Sequence, residues 1–145
     1  MNHYYTDEIN TLVLVSLLKE HNIKKIIASP GTTNISFVGS VQFDPYFEVY
    51  SAVDERAAAF MACGLAEESG EPVVLTCTGA TASRNYIPGL TEAYYRHLPV
   101  LAVTSTQHTG RVGNYVAQVI DRSEQFPDMA KKSIQLPTVY SEEDK

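Results

Sequence analysis

Asp54-Glu55-Arg56-Ala57-Ala58-Ala59-Phe60-Met61-Ala62-Cys63-Gly64-Leu65-Ala66-Glu67-Glu68-Ser69-Gly70-Glu71-Pro72-Val73-Val74-Leu75-Thr76-Cys77 changes character part-way along. Up to Glu68, the residues Ala57, Ala58, Met61, Ala62 and Leu65 recur at helical spacing and share one face. Asp54 stands at the start as a natural cap and Ser69-Gly70 closes the helix. From Pro72 to Cys77 the chain is apolar throughout, which reads as a strand buried on both faces. Such strands belong to parallel sheets covered by helices on both sides.

The same alternation continues outward. A helix is expected from Asp7 to His21, then a strand Lys24–Ala28 ending in the turn Ser29-Pro30-Gly31. Thr32 to Val41 reads as a second helix and Phe47–Ser51 as a second strand. Downstream, Arg84–Arg96 reads as a third major helix and Pro99–Thr104 as a fourth strand. A weak helix near Arg122–Lys131, an extended Ser133–Val139 and a charged tail follow. The fold class is α/β, a three-layer α/β/α arrangement with a mainly parallel sheet and right-handed crossovers.

The 145 residues suit one domain, with about 68–70% of the unfolded chain's surface buried on folding. Residues 1–139 are assigned to that domain and 140–145 to a tail or the start of a linker. Seventeen acids against eleven Lys and Arg give a charge of −6, which speaks against non-specific binding to nucleic acid or anionic membrane. Cys63 and Cys77 lie fourteen residues apart with no His or Cys at a metal-ligand spacing. They read as buried thiols in a reducing compartment, and no metal site is expected on the chain. No basic and apolar leader precedes the first helix, and no apolar run approaches the roughly 18 residues of a bilayer span, so a cytoplasmic protein is expected.

In open parallel sheets ligands gather at the carboxyl ends of the strands. This directs attention to Ser29–Asn34, Ala52–Arg56, Thr78–Asn85 and Ser105–Asn114. Asp54 and Glu55 in the first turn of a helix are favoured by its dipole whatever their function. Glu55 also follows a strand on the ligand-binding side, where a part-buried carboxylate can trade protons with a ligand nitrogen. The small-residue loop Thr78–Ser83 permits close approach to backbone but lacks the spacing of a dinucleotide fingerprint or a P-loop. His97 sits at a helix end, and His108 lies among Gln107, Arg111, Asn114 and Gln118 in the polar loop. Tyr86, Tyr94 and Tyr95 read as packing or an interface face.

Taken together, Ala52–Ala66, Gly70–Leu75, Thr78–Asn85, Gly89–Ala93 and Leu98–Thr104 resemble the linked motifs of the pyrimidine-binding (PYR) domain of thiamine diphosphate enzymes. Ser29-Pro30-Gly31 also matches the turn after that family's first strand, and the likeness runs over roughly residues 7–137. The resemblance implies a Rossmann/flavodoxin-like, thiamine diphosphate-binding fold. It implies that Glu55 is catalytic and hydrogen-bonds the aminopyrimidine of thiamine diphosphate, favouring the tautomer that removes the proton from C2 of the thiazolium. Pro30, Gly31, Thr78, Gly79 and Asn85 fall at cofactor-proximal positions, while Thr32, Gln107, His108 and Gln118 fall where substrate is met. A small 2-oxo acid such as pyruvate is the implied substrate, in an acetolactate synthase-like carboligation or a decarboxylation.

Departures from the family pattern are specific. Thr78-Gly79-Ala80-Thr81 lacks the common Gly-Pro-Gly core and resembles the loop of the menaquinone-pathway synthases, which favour Ser-Arg where this chain has Thr32-Thr33. Gln107 and Gln118 resemble glutamines of the acetolactate synthase branch, and Thr109 follows His108, so paired histidines are absent. No Gly-Asp-Gly segment is present to hold Mg²⁺ and the diphosphate. The implied partner is therefore a diphosphate-binding domain, further along one longer protein or on a separate subunit, in a homodimer or higher oligomer. An alternative is a non-catalytic PYR-like assembly module.

Overall fold

The computed structural model describes residues 5–107, 109–137 and 139. Four strands, β1 (Lys25–Ala28), β2 (Glu48–Ser51), β3 (Val73–Cys77) and β4 (Val100–Thr104), form one parallel sheet in the order β2-β1-β3-β4. The connections are α2 (Ile35–Phe43), α3 (Glu55–Ser69) and the pair α4 (Ala80–Arg84) and α5 (Ile87–Tyr95), with α1 (Ile9–Glu20) preceding β1. Alternation along the central strands divides the core in two. Ile26 and Val74 pack with Leu18, Phe37 and Val41 from α1 and α2. Ile27, Val73 and Leu75 pack with Ala58, Ala59 and Ala62 of α3 and with Tyr86. The expected three layers are present.

All five residues of β3 are buried, whereas β2 is largely exposed and β4 partly so because each lies at an edge of the sheet. The face α3 turns inward is Ala58, Ala59, Ala62, Cys63 and Ala66, while Phe60 and Met61 are 47% and 46% exposed. This corrects the expected stripe, in which Ala57 and Met61 faced the core. The helix expected over Arg84–Arg96 is α5, which starts at Ile87, and a short α4 stands where the loop Thr78–Ser83 was expected. Pro88 has no N–H to donate into the preceding turn, so α5 begins as a new helix with this proline in its first turn. The helix expected from Thr32 starts as a 3₁₀ turn, Thr32–Asn34, before α2. There Asn34 Oδ1 accepts the Gly31 N–H at 2.8 Å, a local bond that competes with helical pairing.

The weak helix expected near Arg122–Lys131 is absent. Asp121 accepts bonds from the Ser123 N–H and hydroxyl, Gln125 donates to the Arg122 carbonyl, and Pro127 offers no donor. Residues 133–137 and 139 join no strand, and Thr138 of that expected extended stretch lies outside the described residues. The segment is tied down by Tyr95 Oη donating to Asp128 at 3.0 Å and Asn10 donating to the Pro137 carbonyl at 2.8 Å. Among the described residues no helix is long and apolar enough to cross a membrane.

Both cysteines are free and buried. Burial pushes the Cys63 thiol up and the Cys77 thiol up to about 11. A raised folded-state pKa favours the protonated thiol, so the stability Cys77 contributes is present below about pH 9 and is lost as pH rises toward 11. Native chain at pH 8 is expected to resist iodoacetamide at both positions, with full labelling in denaturant. Its denaturation midpoint is expected to fall between pH 9 and 11.

Candidate functional site at the carboxyl ends of the strands

Each strand leads into a short loop on one side of the sheet, and the loops are locked to one another. After β1, the Ser29 N–H donates to the Thr76 carbonyl at 2.8 Å, laying Pro30-Gly31 against β3. A Cβ on Gly31 would stand 2.4 Å from Thr78 Cγ2, and one on Gly79 would stand 2.6 Å from the Ser105 carbonyl. Glycine is required at both places for the β1, β3 and β4 loops to approach this closely. The Thr33 and Ser105 hydroxyls bridge the β1 and β4 loops at 2.7 Å.

After β2, the Asp54 carboxylate accepts the Ala57 N–H at 2.7 Å and caps α3. Asp54→Ala is expected to cost about 0.5–2 kcal/mol, read as a lower thermal midpoint with the fold retained. The cap sets Glu55 as the first residue of α3, half-buried, and Asn85 Nδ2 donates to Glu55 Oε2 at 3.0 Å. Asn85 is held by its own N–H, bonded to the Ala82 and Thr81 carbonyls as α4 ends. No described residue bonds Glu55 Oε1, which leaves one carboxylate oxygen for a ligand.

A cleft of about 260 Å³, which neither Glu55 nor Asn85 lines, opens among the loops after β1, β3 and β4. Thr32, Thr78, Gly79, Gln107 and Gln118, all singled out in the sequence, line it together with Arg122. Gln118 has a left-handed backbone, with φ of 65°, and accepts the Thr81 hydroxyl at 3.2 Å. Gln107 accepts Arg111 at 2.9 Å. Pro30 and Gly31 do not line the cleft, and His108 lies outside the described residues.

Sequence reasoning did not place Arg122 in the site. Its guanidinium donates to the Thr104 hydroxyl at 2.8 Å and the Ser105 carbonyl at 3.1 Å, and burial lowers its pKa from the usual arginine value. Only the tertiary path of residues 118–122 brings it to the end of β4. Among the described residues, no group of three or more His, Cys, Asp or Glu side chains is placed to hold a metal ion.

Residues 11–125 match the family model described as the thiamine pyrophosphate enzyme, N-terminal TPP binding domain. The chain belongs to this family. Among its relatives, the 2-succinyl-5-enolpyruvyl-6-hydroxy-3-cyclohexene-1-carboxylate synthase of Bacteroides thetaiotaomicron is 36% identical over 140 residues, 97% of this chain and 25% of that protein. The synthase of the same name from Porphyromonas gingivalis is 44% identical over 105 residues, 72% of this chain and 18% of that protein. This TPP-binding domain chain thus spans about a quarter of the length of the relatives it matches. A solved structure of benzoylformate decarboxylase from Polynucleobacter necessarius superposes with a TM-score of 0.66 at 20% identity, over 75% of this chain and 20% of that one. The 4-hydroxybenzoylformate decarboxylase of Rhodococcus jostii gives a TM-score of 0.67 at 23% identity, over 75% of this chain and 20% of that one. Likeness at such identities speaks to the fold.

Proposed function

We propose that the chain supplies the pyrimidine-binding half of a thiamine diphosphate-dependent enzyme acting on a 2-oxo acid, with Glu55 as the residue that exchanges a proton with the cofactor's aminopyrimidine. The observation that carries this reading is the Glu55–Asn85 pair: a half-buried carboxylate oriented through Oε2, with Oε1 open, where the sheet's loops converge. Glu55 and Asn85 would hold the polar edge of the aminopyrimidine in this reading. Gly31 and Gly79 let the loops after β1, β3 and β4 close on one another, since a Cβ at either would meet Thr78 Cγ2 or the Ser105 carbonyl. When bound, thiamine diphosphate supplies a carbon nucleophile for the substrate carbonyl and takes up the resulting negative charge.

The chain's own contribution is positional and protonic. Asp54 aims Glu55, Asn85 fixes its carboxylate plane, and Glu55 Oε1 holds or releases the proton. Arg122 spends two of its five N–H donors on Thr104 and Ser105, leaving donors for a substrate carboxylate, with the Gln118 and Gln107 amides nearby. Support for a bond-forming reaction comes from the relatives, which bear a synthase name at 34–44% identity. Mg²⁺ and the diphosphate fall to a partner domain in this reading. The exposed Val53, Phe60 and Met61 beside Glu55 suit burial against such a partner.

The test uses the full-length protein with thiamine diphosphate, Mg²⁺ and a panel of 2-oxo acids. Release of CO₂ or a ligated product, followed by mass spectrometry, is the expected result. Failure to bind the cofactor in calorimetry and to turn over any 2-oxo acid would overturn the reading in favour of an assembly module.

A further inference from the structure

The cleft among the loops after β1, β3 and β4 has a chemistry of its own, which proton exchange at Glu55 does not use. Among the described residues, no acidic side chain and no aromatic ring lines it. The charge in its wall is the Arg122 guanidinium, which forms no ion pair with a described carboxylate. Neutral groups make up the rest of the polar wall. The Thr32 and Thr78 hydroxyls have no hydrogen-bond partner among the described residues, and a hydroxyl both donates and accepts. Gln107 commits its amide oxygen to Arg111 at 2.9 Å, and Gln118 commits its own to the Thr81 hydroxyl at 3.2 Å. Each glutamine therefore has its NH₂ group to offer.

At about 260 Å³ the cleft lies just under the roughly 300–1,000 Å³ of sites that enclose a whole small molecule. A ligand that fills it must satisfy the neutral groups as well as the cation, because a polar group shut off from water without a partner is costly. A hydrocarbon or phenyl tail offers those groups nothing. A hydroxyl-bearing chain answers them all, since each ligand hydroxyl can accept from a glutamine NH₂ and donate to a threonine oxygen. We propose that the substrate of this site is a hydroxylated 2-oxo acid of the sugar-acid class, with its carboxylate on Arg122 and its hydroxyls on Thr32, Thr78, Gln107 and Gln118. This class narrows the 2-oxo acid chemistry proposed above and rests on it. The four neutral residues are specificity-determining and lie on separate stretches: Thr32 after β1, Thr78 after β3, Gln107 and Gln118 after β4. Their joint reach to one ligand depends on the close approach of the loops at Gly31 and Gly79.

Binding is read without catalysis, so failure here is distinguishable from failure of the proposed reaction. Full-length protein free of cofactor is titrated in a calorimeter with gluconate, hexanoate and sorbitol. These probes carry the carboxylate with hydroxyls, the carboxylate alone and the hydroxyls alone. Gluconate is expected to bind at least about tenfold more tightly than either, in line with two or more added hydrogen bonds. Thr78→Val, which keeps the side-chain shape, and Gln118→Ala are each expected to erase most of the advantage over hexanoate while hexanoate binds as before. Arg122→Gln is expected to weaken both acids and leave sorbitol unchanged. With thiamine diphosphate and Mg²⁺ added, hydroxypyruvate is expected to exceed its near-isostere 2-oxobutanoate about tenfold in kcat/KM. Equal affinity for gluconate and hexanoate, a preference that survives both Thr78→Val and Gln118→Ala, or the reverse order of the two 2-oxo acids would overturn the hydroxylated class, even in an enzyme that turns over pyruvate. Selective gluconate binding by a protein that turns over no 2-oxo acid would instead uphold the chemistry of the cleft and count against the reaction.

Discussion

Glu55→Gln in the full-length protein is expected to lower kcat by about 10²–10⁴-fold, the usual range for losing a general acid or base. The substitution is close in shape, and the amide retains an oxygen that can accept the Asn85 bond now made at 3.0 Å. What it loses is the charge and the exchangeable proton. The carboxylate lies in the first turn of α3, where loss of a negative charge costs about 0.3–1 kcal/mol, so Tm is expected to change little. The result thus separates chemistry from folding. A variant with parental kcat would remove Glu55 from the reaction, and one that failed to fold would contradict the small helix-dipole cost assigned to the Glu55 charge.

Gly89→Ala is expected to destabilise the chain by about 1–3 kcal/mol. Two effects oppose one another. Alanine is intrinsically better than glycine inside a helix by about 1 kcal/mol. Against this, the new Cβ in α5 would lie 2.4 Å from Ala59 Cβ and 2.9 Å from the Ala59 carbonyl carbon, both on the backbone or first side-chain atom of α3. Neither can rotate away, so the helices must part, straining the bond from Cys63 Sγ to the Gly89 carbonyl at 3.2 Å. The steric term wins. Gly64, where an added Cβ meets nothing within 4 Å, is the control: Gly64→Ala is expected to stabilise the isolated chain by about 0.5–1 kcal/mol. Chemical denaturation of both variants checks the pair, and equal effects at the two glycines would refute the packing account.

That packing also explains where sequence reasoning succeeded and where it failed. The ends of α3 were legible because capping is local: Asp54 accepts a backbone N–H, and Gly70 closes the helix with φ of 66°. The apolar run of β3 was equally plain, since a strand buried on both faces has no polar side to hide. The inward face of α3 was not legible. Its contact with α5 is so close that only small residues fit, leaving the bulkier Phe60 and Met61 outward, against the ordinary weighting of hydrophobic size. Glu55, Asn85, Thr78 and Gly79 stand out in the sequence as members of linked motifs, and Gln118 through its likeness to glutamines of the acetolactate synthase branch; of these, Thr78, Gly79 and Gln118 line the cleft. Arg122 does not stand out, because its place depends on a path set by turns at Asp121 and Gln125 rather than by any periodic pattern.

The two outer strands of the sheet differ in kind. Glu48 places a charge on β2, whereas Val100-Leu101-Ala102-Val103-Thr104 carries none and has no proline within it. Among the described residues β4 pairs only with β3, so beyond the Val100 N–H, which the Leu98 carbonyl accepts at 2.9 Å, its outer amides and carbonyls have no strand partner along an uncharged, β-prone strand. Such an edge is a template for intermolecular strand addition. At millimolar concentration or on refolding from denaturant, self-association of the polypeptide is therefore expected to start at β4, and covering that edge is expected to keep solutions clear.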